Sequence, residues 1–533
     1  MVYCGKASQG CQNCRTRRIK CDKKKPECSQ CIRVGKVCPG YRDQLSLMFR
    51  DESSKVIQKA HAQWGSSGSP TEAGQASSSA LPQSAGSDSS SSTAPPTPHS
   101  LIPATVHRKV DLNLEQRGMQ FYIDRYMINH PDCPKTPEEL VRYTAGSGPF
   151  QNVMIAVGLA GLSNLQGDKS LNMLARTQYV TALKQMGRLL ATGRDDPTTL
   201  PDQLRGIITL AMFEVVQGKG PKSTVGSANL HINGALAVLR SVLPMRDAPN
   251  GGARGVLQLM FAMFIPCQTT SAALPPTFFD AIEICRHLLH GTPEICSVDL
   301  ALVTAQFLQI SAVVEHTALF DQRPNTVDLI QQLLALETKF FDLEVRLHEA
   351  YPYTKEKGVY PPAAVFHGRW HAYDSVWGAR MWNHYRWARI LVNQTLLEFT
   401  TLYPVSSHRC ISPAQRARCY STIRRMAEDI LISTPAIWHH PLLDNETARK
   451  MEVIGPGGAG AVGLPSLLWQ LSVAGCAPGV PPDCWNWAHD VLEVVWKDMG
   501  MRNAWVLAEV MEKHRSALEK ETINRLLKVE DEE

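Results

Sequence analysis

Cys11-Gln12-Asn13-Cys14-Arg15-Thr16-Arg17-Arg18-Ile19-Lys20-Cys21-Asp22-Lys23-Lys24-Lys25-Pro26-Glu27-Cys28-Ser29-Gln30-Cys31-Ile32-Arg33-Val34-Gly35-Lys36-Val37-Cys38 decides how this chain of 533 residues begins. Its cysteines follow C-x2-C-x6-C twice, the second copy displaced by 17 residues. A C-x2-C pair lets two thiolates bite one metal ion, and a six-residue spacer leaves room for a short helix and turn that bring round a third sulfur. Zinc takes four tetrahedral ligands, so two ions need eight ligand positions, and six cysteines fill them when two sulfurs bridge. No histidine precedes His61, so a mixed finger has no nitrogen donor nearby. A two-zinc cluster on Cys11, Cys14, Cys21, Cys28, Cys31 and Cys38 satisfies the count. A disulfide framework, or separate mononuclear sites that recruit Cys4, also satisfies it. The basic content and the lack of a signal-peptide core at the N-terminus weigh against disulfides. The metal is expected to be structural, its binding energy being largely the folding energy of so small a module.

The charge of the same region is as uneven as its cysteine. The whole chain has a formal charge of +5, which points to no particular partner, but residues 1–50 carry 12 Lys and Arg against 3 acids. That end is +9 and the remainder −4. Two zincs and six thiolates trim the head to about +7. Its basic residues favour one half: the first spacer holds Arg15, Arg17, Arg18 and Lys20, the second only Arg33 and Lys36. The halves are alike in metal-ligand spacing and unlike in charge, so the first is the one built to face a polyanion.

In these residues the segment resembles the fungal zinc binuclear cluster DNA-binding domain of transcription factors, over about residues 10–40. The resemblance implies that Cys11 and Cys28 bridge, that Cys14 and Cys21 complete one zinc, and that Cys31 and Cys38 complete the other. It implies that Pro26 lies in the loop joining the halves. Arg15–Lys20 would then be the helix that enters the major groove of double-stranded DNA over a CGG-type site. Guanidinium matches the O6 and N7 acceptors of guanine bidentately, which selects Arg17 and Arg18 for base edges. Arg15, Lys20, Lys23, Lys24 and Lys25 are assigned to phosphates, which anchor without specifying sequence. The Arg15–Lys25 run also suits a nuclear-import signal, giving an expected location in the nucleus.

Beyond the cluster, Ser66–Ser100 holds 13 serines in 35 residues, two charges (Glu72, Asp88) and no aromatic residue. Such a stretch cannot bury enough apolar area to offset chain entropy and reads as disordered linker. From about Val110 the pattern turns helical: apolar residues recur at 171, 174, 175, 179, 182, 183 and 186, one face of a helix. Similar runs fall at about 112–128, 203–216, 228–242, 299–316, 326–348, 374–399, 413–433, 484–498 and 503–518. Strand-like alternation is scarce. The expected architecture is a small two-zinc, six-cysteine module plus a large all-α domain, joined by a disordered Ser/Pro-rich linker. The boundaries are a tail at 1–10, the cluster domain at 11–42, a linker at 43–109 disordered from about 66 to 100, the helical domain at 110–520, and an acidic tail at 521–533.

The helical part has its own, looser resemblance to the fungal-specific transcription factor regulatory domain. It is carried by Leu114–Arg117 with Phe121-Tyr122, by Phe213-Glu214, by His231-Ile232-Asn233-Gly234-Ala235, and by Leu468–Cys476. The resemblance implies a regulatory body that contacts the transcription machinery or coregulators. Few seam residues follow Cys38 (Leu45, Met48, Phe49, Val56), so a homodimer, if formed, has no long coiled coil there to set its spacing. Gly455–Gly460 satisfies G-x-G-x-x-G, but Pro465 stands where the following helix should run, and no acid follows at dinucleotide spacing. A Gly-rich loop is the better reading. His439-His440 and His408-x-Cys410 lack further ligands at metal spacing and read as packing or surface residues. The longest uncharged stretch, Val453–Pro482, contains five prolines and seven glycines, so no membrane-spanning helix is expected.

The function these features imply is a non-enzymatic, sequence-specific regulator of RNA polymerase II transcription, acting on a metabolic or secondary-metabolite gene set. The alternatives are a zinc-binding protein fused to an all-α ligand-sensing or enzymatic domain, and a thiolate-rich zinc buffer. An enzymatic domain needs a convergent acid/base or metal set, which the sequence does not display, and a zinc buffer needs no arginines in the first spacer.

Overall fold

The computed structural model describes residues 11–39, except 18, 23 and 25–27, and residues 113–530, except 129, 145–147, 193–199, 219–229, 232–233, 235–250, 271–272, 275, 320–324 and 454–459. The expected linker, the N-terminal tail and most of the helix expected at 228–242 lie outside them.

The helical body begins where Asn113 caps Leu114–Tyr122. Its side chain accepts from Gln116 N at 2.8 Å, and Gln116 Oε1 accepts from Asn113 N at 3.0 Å, a reciprocal capping box. This helix lies against Gly148–Gln166 at a backbone contact. A β-carbon on Gly158 would overlap the carbonyl of Gly118, so both positions need glycine for the helices to approach. Gly148–Gln166 also packs on Lys169–Thr192 and Leu200–Gln217.

The chain continues through Gly251–Thr270, Pro276–Leu288, Ile295–Leu319 and Thr326–Ala350 to Val376–Leu402, which packs on Thr326–Ala350, Pro413–Ser433 and Leu464–Cys476. Pro482–Met499 and Arg502–Glu530 close the body over Leu464–Cys476. One apolar cluster runs from Tyr122 to Met511. Ile295–Val314 is long and apolar enough to cross a bilayer, yet Val298, Leu300, Ala301 and Ser297 are wholly buried in this core.

Among the described residues, the expectation of an all-α body is corrected by a hairpin. Tyr353–Lys357 pairs antiparallel with Arg369–Tyr373, Tyr353 opposite Tyr373. Four of the five residues of the first strand are exposed and three are charged, so it carries little apolar alternation to announce it. The return passes through His367 (φ 53°) and Gly368 (φ 64°), both left-handed. The last helix runs to Glu530, through most of the stretch expected as a tail.

Val376–Leu402 is buried on nearly all sides, and two of its buried arginines, Arg386 and Arg389, are hydrogen-bonded to side chains of other elements. Arg389 donates to Glu337 Oε1 at 2.9 and 2.6 Å and to Glu344 Oε2 at 2.7 Å. Arg386 donates to Tyr373 Oη and Asn383 Oδ1, both at 2.9 Å. A fully buried guanidinium is tolerated only with such a complement.

Candidate metal centre and nucleic-acid interface

Two short helices, Gln12–Thr16 and Ser29–Ile32, repeat at the 17-residue offset of the cysteines. Their backbone bonds repeat too. Cys14 N donates to Cys11 Sγ at 3.4 Å and Cys31 N to Cys28 Sγ at 3.3 Å; Ile19 N reaches Cys14 O at 3.0 Å and Lys36 N reaches Cys31 O at 3.1 Å. The halves are joined by Asn13, whose Nδ2 lies 3.0 Å from Val37 O and 3.5 Å from Cys31 Sγ. Asp22 closes the other side, accepting from Ser29 N at 3.1 Å, and hydrogen bonds from the Ser29 side chain and then its backbone hold the Asp22 carboxyl below the usual range. Composition and cysteine spacing gave no reason to single out Asn13 or Asp22. Their bonds cross 24 and 7 residues.

The six sulfurs fall into two sets of four, Cys11, Cys14, Cys21, Cys28 and Cys11, Cys28, Cys31, Cys38, with ligand atoms in each set within 4.8 Å of one another. Cys11 and Cys28 belong to both. Their sulfurs are 3.7 Å apart, as are Cys11 and Cys31, and Cys14 and Cys28. A Zn–S bond of about 2.3 Å places two sulfurs of one tetrahedral ion about 3.8 Å apart, so this spacing fits zinc. A disulfide needs about 2.05 Å, and all six cysteines are free thiols. Burial pushes the metal-free Cys11 thiol up to about 12 and Cys28 higher, so a cation is what makes thiolates acceptable in so dry a site. Bound zinc supplies a structural cross-link and charge compensation.

Outside the sulfur core the halves differ. On the first, Arg17, Lys20 and Lys24 are exposed, and Arg15 lies within Gln12–Thr16. Arg18, Lys23 and Lys25 lie outside the described residues. The helix expected over Arg15–Lys20 starts earlier and ends at Thr16, because the chain must turn at Arg17 to return Cys21 to the metal. The second half exposes Ile32, Val34 and Val37 beside Arg33 and Lys36.

Residues 9–47 match the family described as the fungal Zn(2)-Cys(6) binuclear cluster domain. The N-terminus carries a domain of this kind. The cluster binds two zinc ions. The white-opaque regulator 2 of Candida albicans is 59% identical over 38 residues, 7% of this chain and 8% of that protein. The aspercryptin biosynthesis cluster-specific transcription regulator atnN of Emericella nidulans is 46% identical over 56 residues, 10% of this chain and 9% of that protein. The chain is thus matched over less than a tenth of either relative's length. No solved structure matches it.

In the body, the sequence's other candidates resolve into packing. His439 and His440 are buried, burial pushing His439 down to about 3, while His408 is exposed. Pro465 stands in the first turn of Leu464–Cys476, where its missing N–H costs nothing, so it starts that helix rather than breaking it. Residues 455–459 of the glycine motif lie outside the described residues. Glu214 and His231, from two separate landmark runs, meet on Tyr179 Oη, each at 2.7 Å, with Tyr179 stacked on Phe213.

Proposed function

We propose that this protein is a nuclear, sequence-specific DNA-binding regulator of RNA polymerase II transcription that reads CGG-type sites. The observation that carries the reading is the pairing of two near-identical zinc-binding halves with one-sided charge. In this assignment Cys11 and Cys28 bridge the ions, Cys14 and Cys21 complete one, and Cys31 and Cys38 the other. The metals fix the Gln12–Thr16 helix and the Arg17 turn as a rigid projection. Arg17 and Arg18 address guanine edges, while Arg15, Lys20, Lys23, Lys24 and Lys25 hold phosphates. The helical body is a regulatory domain contacting coregulators or the transcription machinery, not a catalyst, and a homodimer would form through it. The name of the Emericella nidulans relative supports a secondary-metabolite gene set as the target. The test is a gel shift of the full chain on a CGG duplex and a scrambled one, with zinc and after chelation. Zinc-dependent preference for the CGG duplex is expected; equal binding to both, or binding indifferent to chelator, rejects the reading.

A further inference from the structure

We propose that the exposed face of the Pro413–Ser433 helix is a second, sequence-independent phosphate-contact surface that grips DNA beside the site held by the cluster. The inference rests on the DNA-binding reading above. Residues 404–427 contain Arg409, Arg416, Arg418, Arg424 and Arg425 and not one acid, in a part of the chain that is otherwise negative. An ordinary solvated surface mixes both signs. Cys419, Ile423, Met426 and Ile430 bury one side of the helix in the core, which leaves Arg416, Arg418, Tyr420 and Arg424 outward.

Arg416, Tyr420 and Arg424 follow at i, i+4 and i+8 and form a stripe about 12 Å long. At 3.4 Å of rise per phosphate on one strand, that length faces about three or four phosphates. The stripe is held in place. Arg424 Nη2 donates to Gly479 O at 3.2 Å, and Gly479, at φ 76°, sits so close under Tyr420 that a β-carbon would strike its ring. Arg418 is steadied by Gln415 Oε1 at 3.2 and 2.5 Å, a neutral partner that leaves its charge uncancelled. Among the described residues no carboxylate lies within 4.0 Å of Arg416, Arg418 or Arg424. Acids in the neighbourhood have other partners: Glu344 pairs with Arg389 and Arg425, Glu337 with Arg389, Glu428 with Arg369, and Asp483 with His367. Because cluster and helix belong to one chain, DNA held by the first meets the second intramolecularly, which favours nucleic acid over a free acidic protein.

The test uses the full chain and its Arg416→Gln/Arg418→Gln/Arg424→Gln variant, with folding checked by circular dichroism. Binding is measured against salt on long duplexes, one with a CGG site and one random, and on a minimal CGG duplex without flanks. The variant should bind both long duplexes about ten-fold more weakly, lose up to about three units of salt slope there, and bind the minimal duplex as wild type does. Unchanged affinity and slope on the long duplexes overturns the inference. So does competition by a polyglutamate peptide that is lost in the variant while the DNA slope stays put, which reassigns the surface to an acidic protein. Failure of the cluster reading is separate: it appears as no preference of the wild type for the CGG duplex over the random one.

Discussion

Cys11 Sγ and Cys28 Sγ stand 3.7 Å apart, both wholly buried, and the pair has two further cysteine sulfurs within reach on each side, Cys14 and Cys21 on one and Cys31 and Cys38 on the other. Every other cluster cysteine belongs to one set of four. The two positions are therefore not equivalent to the rest in what their removal should do.

Cys28→Ala should leave neither ion with four sulfurs, and bound zinc should fall from two per chain to near zero. Cys410→Ala, in the helical body, should leave two. Metal analysis after gel filtration measures both. A Cys28→Ala protein that retains one full equivalent would mean the two sets do not share that sulfur.

Arg18→Ala should cost roughly 1–3 kcal/mol on a CGG duplex and little on random DNA, as loss of a bidentate base contact does. Equal losses on both would remove it from base readout. Lys24→Ala should instead weaken binding to all sequences and lower the salt slope by about one unit. An unmoved slope would show that Lys24 touches no phosphate.

The cysteine module was legible because its chemistry is local: spacing and count limit the coordination, and basic residues stand in one spacer. Amphipathic helices such as Lys169–Thr192 and Thr326–Ala350 were legible from their periodic faces. Gly148–Gln166 and Gly251–Thr270 were not, since apolar residues cover most of their circumference and no face stands out. The pairings that organise the interior were invisible for another reason. Arg389 and Glu337 are 52 residues apart, and nothing local marks either as the other's partner.

Gly158→Ala should destabilise the body by roughly 1–3 kcal/mol, because the added methyl must push apart two helices whose backbones touch at Gly118. Gly187→Ala, with open space at its β-position, should be neutral or slightly stabilising. Chemical denaturation of the two variants gives the comparison, and equal midpoints would contradict the close packing.

Burial alone would raise the Glu344 carboxyl, but Arg425, Tyr385 and Arg389 outweigh it and hold it down at about 2, from an ordinary 4.5. A depressed carboxylate contributes stability that is full above about 4.5 and lost as pH falls toward 2. Glu344→Gln should cost roughly 1–3 kcal/mol at pH 7, less than a fully buried pair because a quarter of the side chain remains in water. The cost should shrink through that acid window. A difference between variant and wild type that stays constant from pH 7 to pH 3 would show that Glu344 is not held ionised by its partners.

In the proposed function a zinc-held, arginine-bearing half-cluster selects a DNA sequence. Selection of duplexes from a random pool by the full chain tests it most directly, run with zinc and again after chelation. Enrichment of CGG triplets with zinc, abolished by chelation, is the predicted result. A pool that shows no CGG enrichment, or the same enrichment without metal, would contradict it.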